Sequence, residues 1–264
     1  MQLSEFAEFH RPALERDEVK FNLILGLLGR LLETDSPEVR LWTLGTPGQC
    51  ALQTTPRNPI MLGDLVAEQC YSFAEQTLNL HYPGVVGVDL TARLFAERAS
   101  ARGVKFAVPM PQVIQVLRDK PIYPAARGSA RTVGGADADL FTEWMIAFFK
   151  EATPHDRVPT RENLERTVAA GNYQFWMVDG EPVSMAGVVR RTRRVAAVAG
   201  VYTPPALRRR GYGGSATAAV ANEVFAEGRT VVCLYSDLRN PTSNRCYAKI
   251  GFSPVHRAWH YLRA

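Results

Sequence analysis

The apolar positions of the first half of the chain follow helical and strand spacings in turn. The helical period of about 3.6 residues predicts helices over three stretches, 15–33, 65–78 and 91–102. Short apolar runs predict strands over 41–44, 50–54, 59–62 and 104–108, with a less regular element over 112–117. We therefore expect residues 1–124 to form a small α+β domain, in which no chemical signature is visible.

The second half begins after a connection rich in Pro, Ala, Gly and Ser over 121–130. Its pattern predicts two helices, three antiparallel strands, a helix, a buried strand, a short helix and strand-like pieces near Val255 and Trp259. The corresponding ranges are 137–150, 161–170, 174–178, 183–190, 194–202, 211–227, 230–235 and 243–250. This order predicts a second α+β domain over residues 125–264.

The composition is that of a folded globular protein, with 264 residues, 46% hydrophobic and 22% charged. The first ten residues are acidic and mixed rather than basic and then apolar, so they do not resemble a signal peptide. The longest apolar stretch, 21–32, contains Asn22 and Arg30 and is shorter than the ~20 residues of a membrane span. We expect a cytoplasmic protein without a membrane segment.

The cysteines and histidines do not predict a metal site. The four cysteines are widely spaced and form no CxxC pair, which also argues against a disulfide framework. His256 and His260 are four residues apart in a stretch that reads as a strand, where such positions lie ~13 Å apart. We therefore expect no metal.

The charge is uneven along the chain. Residues 1–124 carry 12 basic and 14 acidic side chains, whereas the remainder carries 19 and 12, a net charge of +7. A basic half is typical of proteins that meet an anion, whether nucleic acid, a phosphate-bearing cofactor or an acidic partner. Solvated arginines on ordinary surfaces would give the same balance.

The sharpest local feature is the segment 208–215, with the sequence RRRGYGGS, between a predicted strand and a predicted helix. The first N–H groups of a helix are unpaired and carry partial positive charge. Glycines at that point let a phosphate approach the backbone, and the preceding arginines add charge. The segment predicts an anion site, although a tight helix entry flanked by solvated arginines remains the simpler alternative.

Two other phosphate-binding motifs are alternatives for this part of the chain. Gly211, Gly213 and Ala216 also match the dinucleotide fingerprint GxGxxA, and Asp237 follows a later strand. In that fold the glycines leave the strand directly, whereas Pro204, Pro205 and three arginines intervene here, and too few residues follow for further βα units. A Walker loop is absent, because no Gly is followed by Lys-Ser or Lys-Thr.

The C-terminal half resembles the GNAT superfamily of N-acetyltransferases, over about residues 128–264. The acyl-CoA loop of that family, Arg/Gln-x-x-Gly-x-Gly/Ala, is matched by Arg208, Gly211 and Gly213. A second family signature follows at the right separation, namely NPTSN at 240–244, then Tyr247, then Gly251-Phe252. The resemblance implies a mixed, mostly antiparallel sheet flanked by helices. The N-terminal half shares only the coarse α+β order, and a degenerate repeat of the same fold is one interpretation of it.

The resemblance also implies how acetyl-CoA would be bound. Backbone N–H groups around the loop would hold the pyrophosphate, and the end of the third strand would pair with the pantetheine arm. The implied cofactor-binding residues are Val201, Tyr202, Thr203, Arg208, Arg209, Arg210, Gly211, Tyr212, Gly213, Gly214, Ser215, Asn240 and Asn244. For the two asparagines, capping of the short helix is the alternative.

Tyr247 is the residue that the resemblance implies for catalysis. Its phenol, with an ordinary pKa of ~10, would donate a hydrogen bond or a proton to the departing CoA thiolate. Many family members carry a carboxylate base on the third strand or its neighbour, whereas 193–202 contains none. Asp237 is the nearest candidate base, and it would equally serve to cap its own loop. A water relay or an amine of low pKa are the other options.

We therefore predict an N-acetyltransferase that moves the acetyl group of acetyl-CoA to a primary amine by direct attack in a ternary complex. The acceptor would be a small amine or an exposed amino group. The N-terminal half would form the wall of the cleft on the acceptor side and thereby determine which acceptor is used. Alternatives are a non-catalytic CoA-binding sensor or scaffold, a dinucleotide oxidoreductase, and a nucleic-acid binder using arginines 190–194 and 208–210. The last is disfavoured, because no aromatic residues interleave with those arginines.

Overall fold

The computed structural model describes residues 1–34, 38–154 and 156–264. The chain divides into two compact units. The first comprises 1–115, 235–241 and 254–264, and the second comprises 116–234 and 242–253. Both are α+β, as predicted, and two segments from the C-terminal half belong to the first unit.

The first half of the chain forms four helices and five strands in the described residues. These are α1 Leu3–Leu14, α2 Asn22–Glu33, β1 Arg40–Thr43, β2 Cys50–Gln53, β3 Ile60–Leu62, α3 Ala67–Gln76, β4 Gly84–Val88, α4 Thr91–Ala101 and β5 Met110–Leu117. Strands β1, β2 and β3 are antiparallel, and β3 is parallel to β4. The far side of β4 pairs with the last strand of the chain.

The second half contributes the remaining elements. These are β6 Ser129–Thr132, α5 Ala138–Ala152, α6 Arg161–Ala169, β7 Tyr173–Val178, β8 Glu181–Arg191, β9 Val195–Tyr202, α7 Tyr212–Ala226, β10 Val231–Asp237, α8 Pro241–Ile250 and β11 Ser253–Leu262. Strands β6 to β9 form an antiparallel meander, and β10 runs parallel to β9. In each unit the strand pairing is thus mixed and mostly antiparallel.

The same order of elements occurs twice along the chain. From α1 to β5 and again from α5 to β11 it reads helix, helix, three strands, helix, strand, helix, strand. In each copy the third strand is parallel to the fourth, through β3 with β4 and through β9 with β10. The N-terminal half is therefore a structural repeat of the C-terminal half, in line with one interpretation of its sequence.

The closing strand β11 does not stay with the second unit. It pairs antiparallel with β4, with Ala258 opposite Val88 and Leu262 opposite Gly84. A side chain at Gly84 would lie 2.4 Å from the carbonyl oxygen of Tyr261, so the two backbones approach too closely for a Cβ atom. The first unit thus contains a strand that comes from the end of the chain.

Several predicted elements of the first half were wrong. The long helix over 15–33 is broken, because the Asp17 carboxylate accepts the Lys20 N–H and diverts the backbone into a turn. The range 104–108 holds only an isolated bridge at Phe106, whereas 110–117 is the strand. The sequence analysis also missed α1, β4 and β6.

In the second unit, the sheet separates two apolar cores. Helix α7 packs on one side through Ala216, Val220 and Val224. Helices α5 and α6 pack on the other side through Phe141 and Leu164. Because strand side chains point to both faces of a sheet, β7 and β8 contribute residues to both cores. No described helix is long and apolar enough to cross a membrane.

Candidate functional site

Strand β9 contains a bulge at Gly200. The pairing of β8 with β9 shifts between Gly187–Ala199 and Met185–Tyr202, so β9 advances three residues where β8 advances two. Gly200 has φ +63°, which other residues rarely adopt. A Cβ atom there would lie 2.7 Å from the hydroxyl oxygen of Tyr173. The sequence analysis missed this bulge, although an isolated glycine in a strand pattern is its usual signal.

The parallel pairing of β9 with β10 stops before β9 ends. Among described residues, the pairing of β9 with β10 runs from Val195 opposite Val231 to Val198 opposite Leu234. The stretch 199–202 extends past this register, which leaves the end of β9 with an open side. An open strand edge offers backbone N–H and C=O groups to an extended ligand.

A tight loop then joins β9 to α7. Arg209 has φ +64° and Gly211 has φ +83°, so the chain enters the helix through two left-handed residues. In the described chain, no acceptor is bonded to the N–H groups of Tyr212, Gly213 or Gly214. Such a concave run of N–H groups at a helix N-terminus is suited to an anion.

The loop is packed from behind by the segment that the sequence analysis treated as a connection. The Tyr123 ring lies where a side chain at Gly214 would have to be, 2.4 Å from the position of its Cβ atom. The Tyr123 hydroxyl is 3.4 Å from the carbonyl oxygen of Gly211. The Ser215 hydroxyl accepts the Ala126 N–H and lies 3.2 Å from the same carbonyl. Tyr123 and the Ser215 side chain thus support the loop.

The three loop arginines have different surroundings. The Arg208 guanidinium donates to the carbonyl oxygen of Thr203 at 2.9 Å and to the carboxylate of Glu151 at 2.6 Å. Among the residues that the structure describes, Arg210 makes only a long contact, 3.5 Å, with the carbonyl oxygen of Ala206. Arg209 and Arg210 are exposed. With Arg208 directed at the protein, these two supply the cationic charge of the loop.

Tyr247 lies on α8, half-buried against the α7 core. Its ring contacts Phe252, with centroids 6.0 Å apart. Burial, and to a lesser degree the nearby Cys246, raises the pKa of the Tyr247 phenol above its ordinary value. The phenol is therefore protonated at neutral pH, and its O–H group is able to donate a hydrogen bond. Asn244 is half-buried one turn earlier on the same helix.

Asp237 ends β10 and belongs to the first unit. Its carboxylate accepts the Arg239 N–H at 2.8 Å and pairs with the Arg239 guanidinium at 3.0 Å, while its carbonyl accepts the Asn240 N–H. Burial acts to raise the pKa of Asp237, but the hydrogen bonds from Arg239 leave it below the ordinary value. The carboxylate is thus ionised and caps its own turn.

Among the described side chains, no group of three or more His, Cys, Asp or Glu residues is arranged to hold a metal ion.

Comparisons with known proteins bear on this site directly. Residues 138–252 match the model of the acetyltransferase (GNAT) family. That range contains the loop 208–215, Tyr247 and both asparagines. No curated protein sequence matches the chain.

Solved structures share the fold. A Drosophila protein is 19% identical with a TM-score of 0.70, over 99% of this chain and 97% of that chain. A GCN5-related N-acetyltransferase from Kribbella flavida is 18% identical with a TM-score of 0.57, over 92% and 95%. A tandem GNAT protein from the clavulanic acid biosynthesis pathway is 14% identical with a TM-score of 0.54, over 91% and 87%. The solved structures share the fold, and the family match leads to one conclusion: residues 138–252 form an acetyltransferase domain of the GNAT family.

Proposed function

We propose that the C-terminal domain transfers the acetyl group of acetyl-CoA to a primary amine. The observation that carries the proposal is the run of unbonded N–H groups at 212–214, entered through two left-handed residues and flanked by Arg209 and Arg210. A pyrophosphate carries the charge that this arrangement stabilises. Nearby, the open end of β9 is suited to the amide groups of a pantetheine arm.

The surroundings of β9 suggest which backbone groups would meet that arm. The carbonyl of Tyr202 accepts the hydroxyl of Ser184 at 2.8 Å, and the carbonyl of Thr203 accepts Arg208. We therefore assign the pantetheine contacts to the backbone of Val201 and the N–H of Thr203. In this proposal Asn244 contributes a side-chain amide contact, and Asn240 stays a weaker candidate.

The proposed reaction is a direct transfer. The neutral amine attacks the thioester carbonyl carbon, the new C–N bond forms, and the C–S bond breaks with its electron pair leaving on sulfur. The Tyr247 phenol donates its proton to that thiolate and regains one from solvent. The amine gives up its extra proton to water or to a carboxylate.

The acceptor determines how much a base matters. At pH 7.4, deprotonating an α-amine of pKa ~8 costs under ~1 kcal/mol, whereas a lysine amine of pKa ~10.4 costs ~4 kcal/mol. Asp237 is the carboxylate to test as that base. Its pKa is lowered, which makes it a weak base and favours an acceptor amine of low pKa, either a small amine or an exposed amino group.

We also propose one cofactor per chain, because the first repeat lacks an equivalent loop. Its β3–α3 connection has the acidic Asp64, which is paired with Lys20 at 3.0 Å. The N–H of Val66 donates to the Gln69 side chain, and Glu68 lies in the first turn of α3. A helix start flanked by carboxylates repels a phosphate.

Calorimetric titration of the full chain with acetyl-CoA tests the proposal. We expect micromolar affinity and one site per chain, followed by thiol release with a panel of primary amines. Binding without turnover across the panel would favour the sensor or scaffold alternative. No binding at millimolar acetyl-CoA would overturn the assignment of the loop.

A further inference from the structure

The first arginine of the loop is held by a glutamate from a distant helix. We propose that Glu151 is a positioning residue for the cofactor site, acting through Arg208 to fix the end of β9. The inference rests on the proposed binding of acetyl-CoA. It goes further by naming a residue outside both family signatures, and by assigning Arg208 to the protein rather than to the phosphates.

Three contacts converge on the Arg208 guanidinium. Its Nε atom donates to the carbonyl oxygen of Thr203 at 2.9 Å, and its Nη2 atom donates to Glu151 Oε2 at 2.6 Å. The guanidinium carbon lies 5.8 Å from the centroid of the Tyr202 ring. A planar guanidinium with two donors engaged and one face on an aromatic ring has a single orientation. Arg208 therefore ties the last residues of β9 to the C-terminal end of α5.

The position of Glu151 does little to stabilise its own helix. It lies in the last turn of α5, Ala138–Ala152, where the helix dipole disfavours a carboxylate. The side chains of Arg208 and Glu151 are 41% and 46% exposed, and an ion pair at that exposure contributes little to stability. A role in folding stability accounts poorly for this arrangement, whereas a role in orienting Arg208 accounts for it.

The end of β9 is also held from its other side. The buried Ser184 hydroxyl lies 2.8 Å from the carbonyl oxygen of Tyr202 and 2.8 Å from the hydroxyl of Thr203. The Thr203 hydroxyl in turn lies 3.2 Å from the position of a Cβ atom at Gly213. Glu151, Arg208 and Ser184 thus set the spacing between the open strand end and the anion loop.

The two roles available to Arg208 predict changes of opposite sign. If Arg208 positions β9 through Glu151, replacing that glutamate releases the strand end and weakens cofactor binding. If Arg208 instead binds the phosphates, the same replacement frees a cation beside them and tightens binding. Affinity in Glu151→Gln therefore separates the two roles.

The experiment measures acetyl-CoA affinity and steady-state kinetics for the full chain, Glu151→Gln, Arg208→Ala and the double variant. We expect Glu151→Gln to raise the Kd and the KM for acetyl-CoA about tenfold, with kcat within twofold and the melting temperature nearly unchanged. The double variant should bind acetyl-CoA no more weakly than Arg208→Ala, because both substitutions interrupt the same series of contacts.

A matched control lies on the same helix. Asp139, in the first turn of α5, pairs with Arg161 at 2.7 Å, and both side chains are exposed. Asp139→Asn should leave acetyl-CoA binding unchanged. If the wild type binds acetyl-CoA and Glu151→Gln binds it equally or more tightly, the positioning role of Glu151 is wrong while the proposed function stands. A wild-type chain that does not bind acetyl-CoA would overturn the proposed function and this inference with it.

Discussion

The Tyr173 ring lies across Gly200, so closely that a Cβ atom there would be 2.7 Å from the phenol oxygen. The same ring covers Gly187 on β8, where a Cβ atom would be 2.4 Å from Tyr173 Cγ. Tyr173 is buried, packs against Phe141 with ring centroids 4.9 Å apart, and its pKa is raised by desolvation. An aromatic ring over two glycines on neighbouring strands thus sets where β9 bulges and where its open end begins.

We predict that Gly200→Ala destabilises the domain and weakens the cofactor site. A left-handed alanine costs about 1–2 kcal/mol and the clash with Tyr173 adds about 1–3 kcal/mol. Urea unfolding and acetyl-CoA titration measure the two effects. Gly180→Ala is the control, since Gly180 has φ +84° with nothing near its Cβ position, and it should show only the smaller cost. Equal losses in the two variants would contradict the packing argument.

Arg209→Gln and Arg210→Gln should each weaken acetyl-CoA binding several-fold at low salt. Both side chains are exposed, so the effect should shrink as added salt screens the charges. Acetyl-pantetheine lacks the pyrophosphate, and its affinity should not change in either variant. Arg193→Gln, an exposed arginine in the β8–β9 hairpin, serves as the control. A loss that is the same for both ligands would place the arginines away from the phosphates.

Tyr247→Phe should lower kcat by about 10²-fold with little change in acetyl-CoA affinity, the usual scale for a general acid.

Because burial raises the Tyr247 pKa, the neutral phenol persists up to and beyond pH ~10. Its contribution to stability is therefore present below pH ~10 and is lost as pH rises through the folded value. Stopped-assay rates from pH 7 to 10 should show no alkaline decline due to Tyr247. Tyr71→Phe, at an exposed position of α3, is the control, and an unchanged kcat in Tyr247→Phe would exclude the role.

His10 should make the first unit sensitive to mild acid. The ring is buried, its Nδ1 atom accepts the Gly48 N–H at 3.0 Å, and its Nε2 atom lies 2.9 Å from the Thr43 hydroxyl. Burial lowers the pKa of His10, so stability is present above pH ~6.5 and is lost as pH falls through that region, by up to about 1.4 kcal/mol per pH unit.

Urea unfolding at pH 7.5 and 5.5 measures this dependence. His10→Gln should be less stable at pH 7.5 and should lose less on acidification, whereas His81→Gln, at an exposed position, should behave like the wild type. A wild-type stability that does not fall between these two pH values would contradict the argument.

The second half of the chain was the easier to predict, for a physical reason. Its helices and strands have strong apolar periods, and the glycine-rich segment 208–215 is a local signal for a helix start. In the first half, Asp17 breaks a helix through a side-chain hydrogen bond that leaves the apolar period intact. Strand β4, GVVGV, is rich in glycine because other backbone and side-chain atoms crowd it, which local propensity does not reveal.

The contacts that complete the site are distant in sequence. Glu151 is 57 residues from Arg208, and Tyr123 is 88 residues from Gly211. Neither partner belongs to a recognisable motif, so no periodicity or spacing pairs them. The loop could be found from the sequence, whereas the residues that orient it required the folded chain.

The pairing of β11 with β4 has a consequence for how the protein folds during synthesis. On the ribosome, β1 to β4 emerge early, but the outer edge of β4 stays uncovered until β11 leaves the exit tunnel. An uncovered strand edge is a template for pairing with another chain. The nascent first unit must therefore wait through synthesis of the entire acetyltransferase domain, and the interval in which it is open to misassembly ends only when β11 has been made.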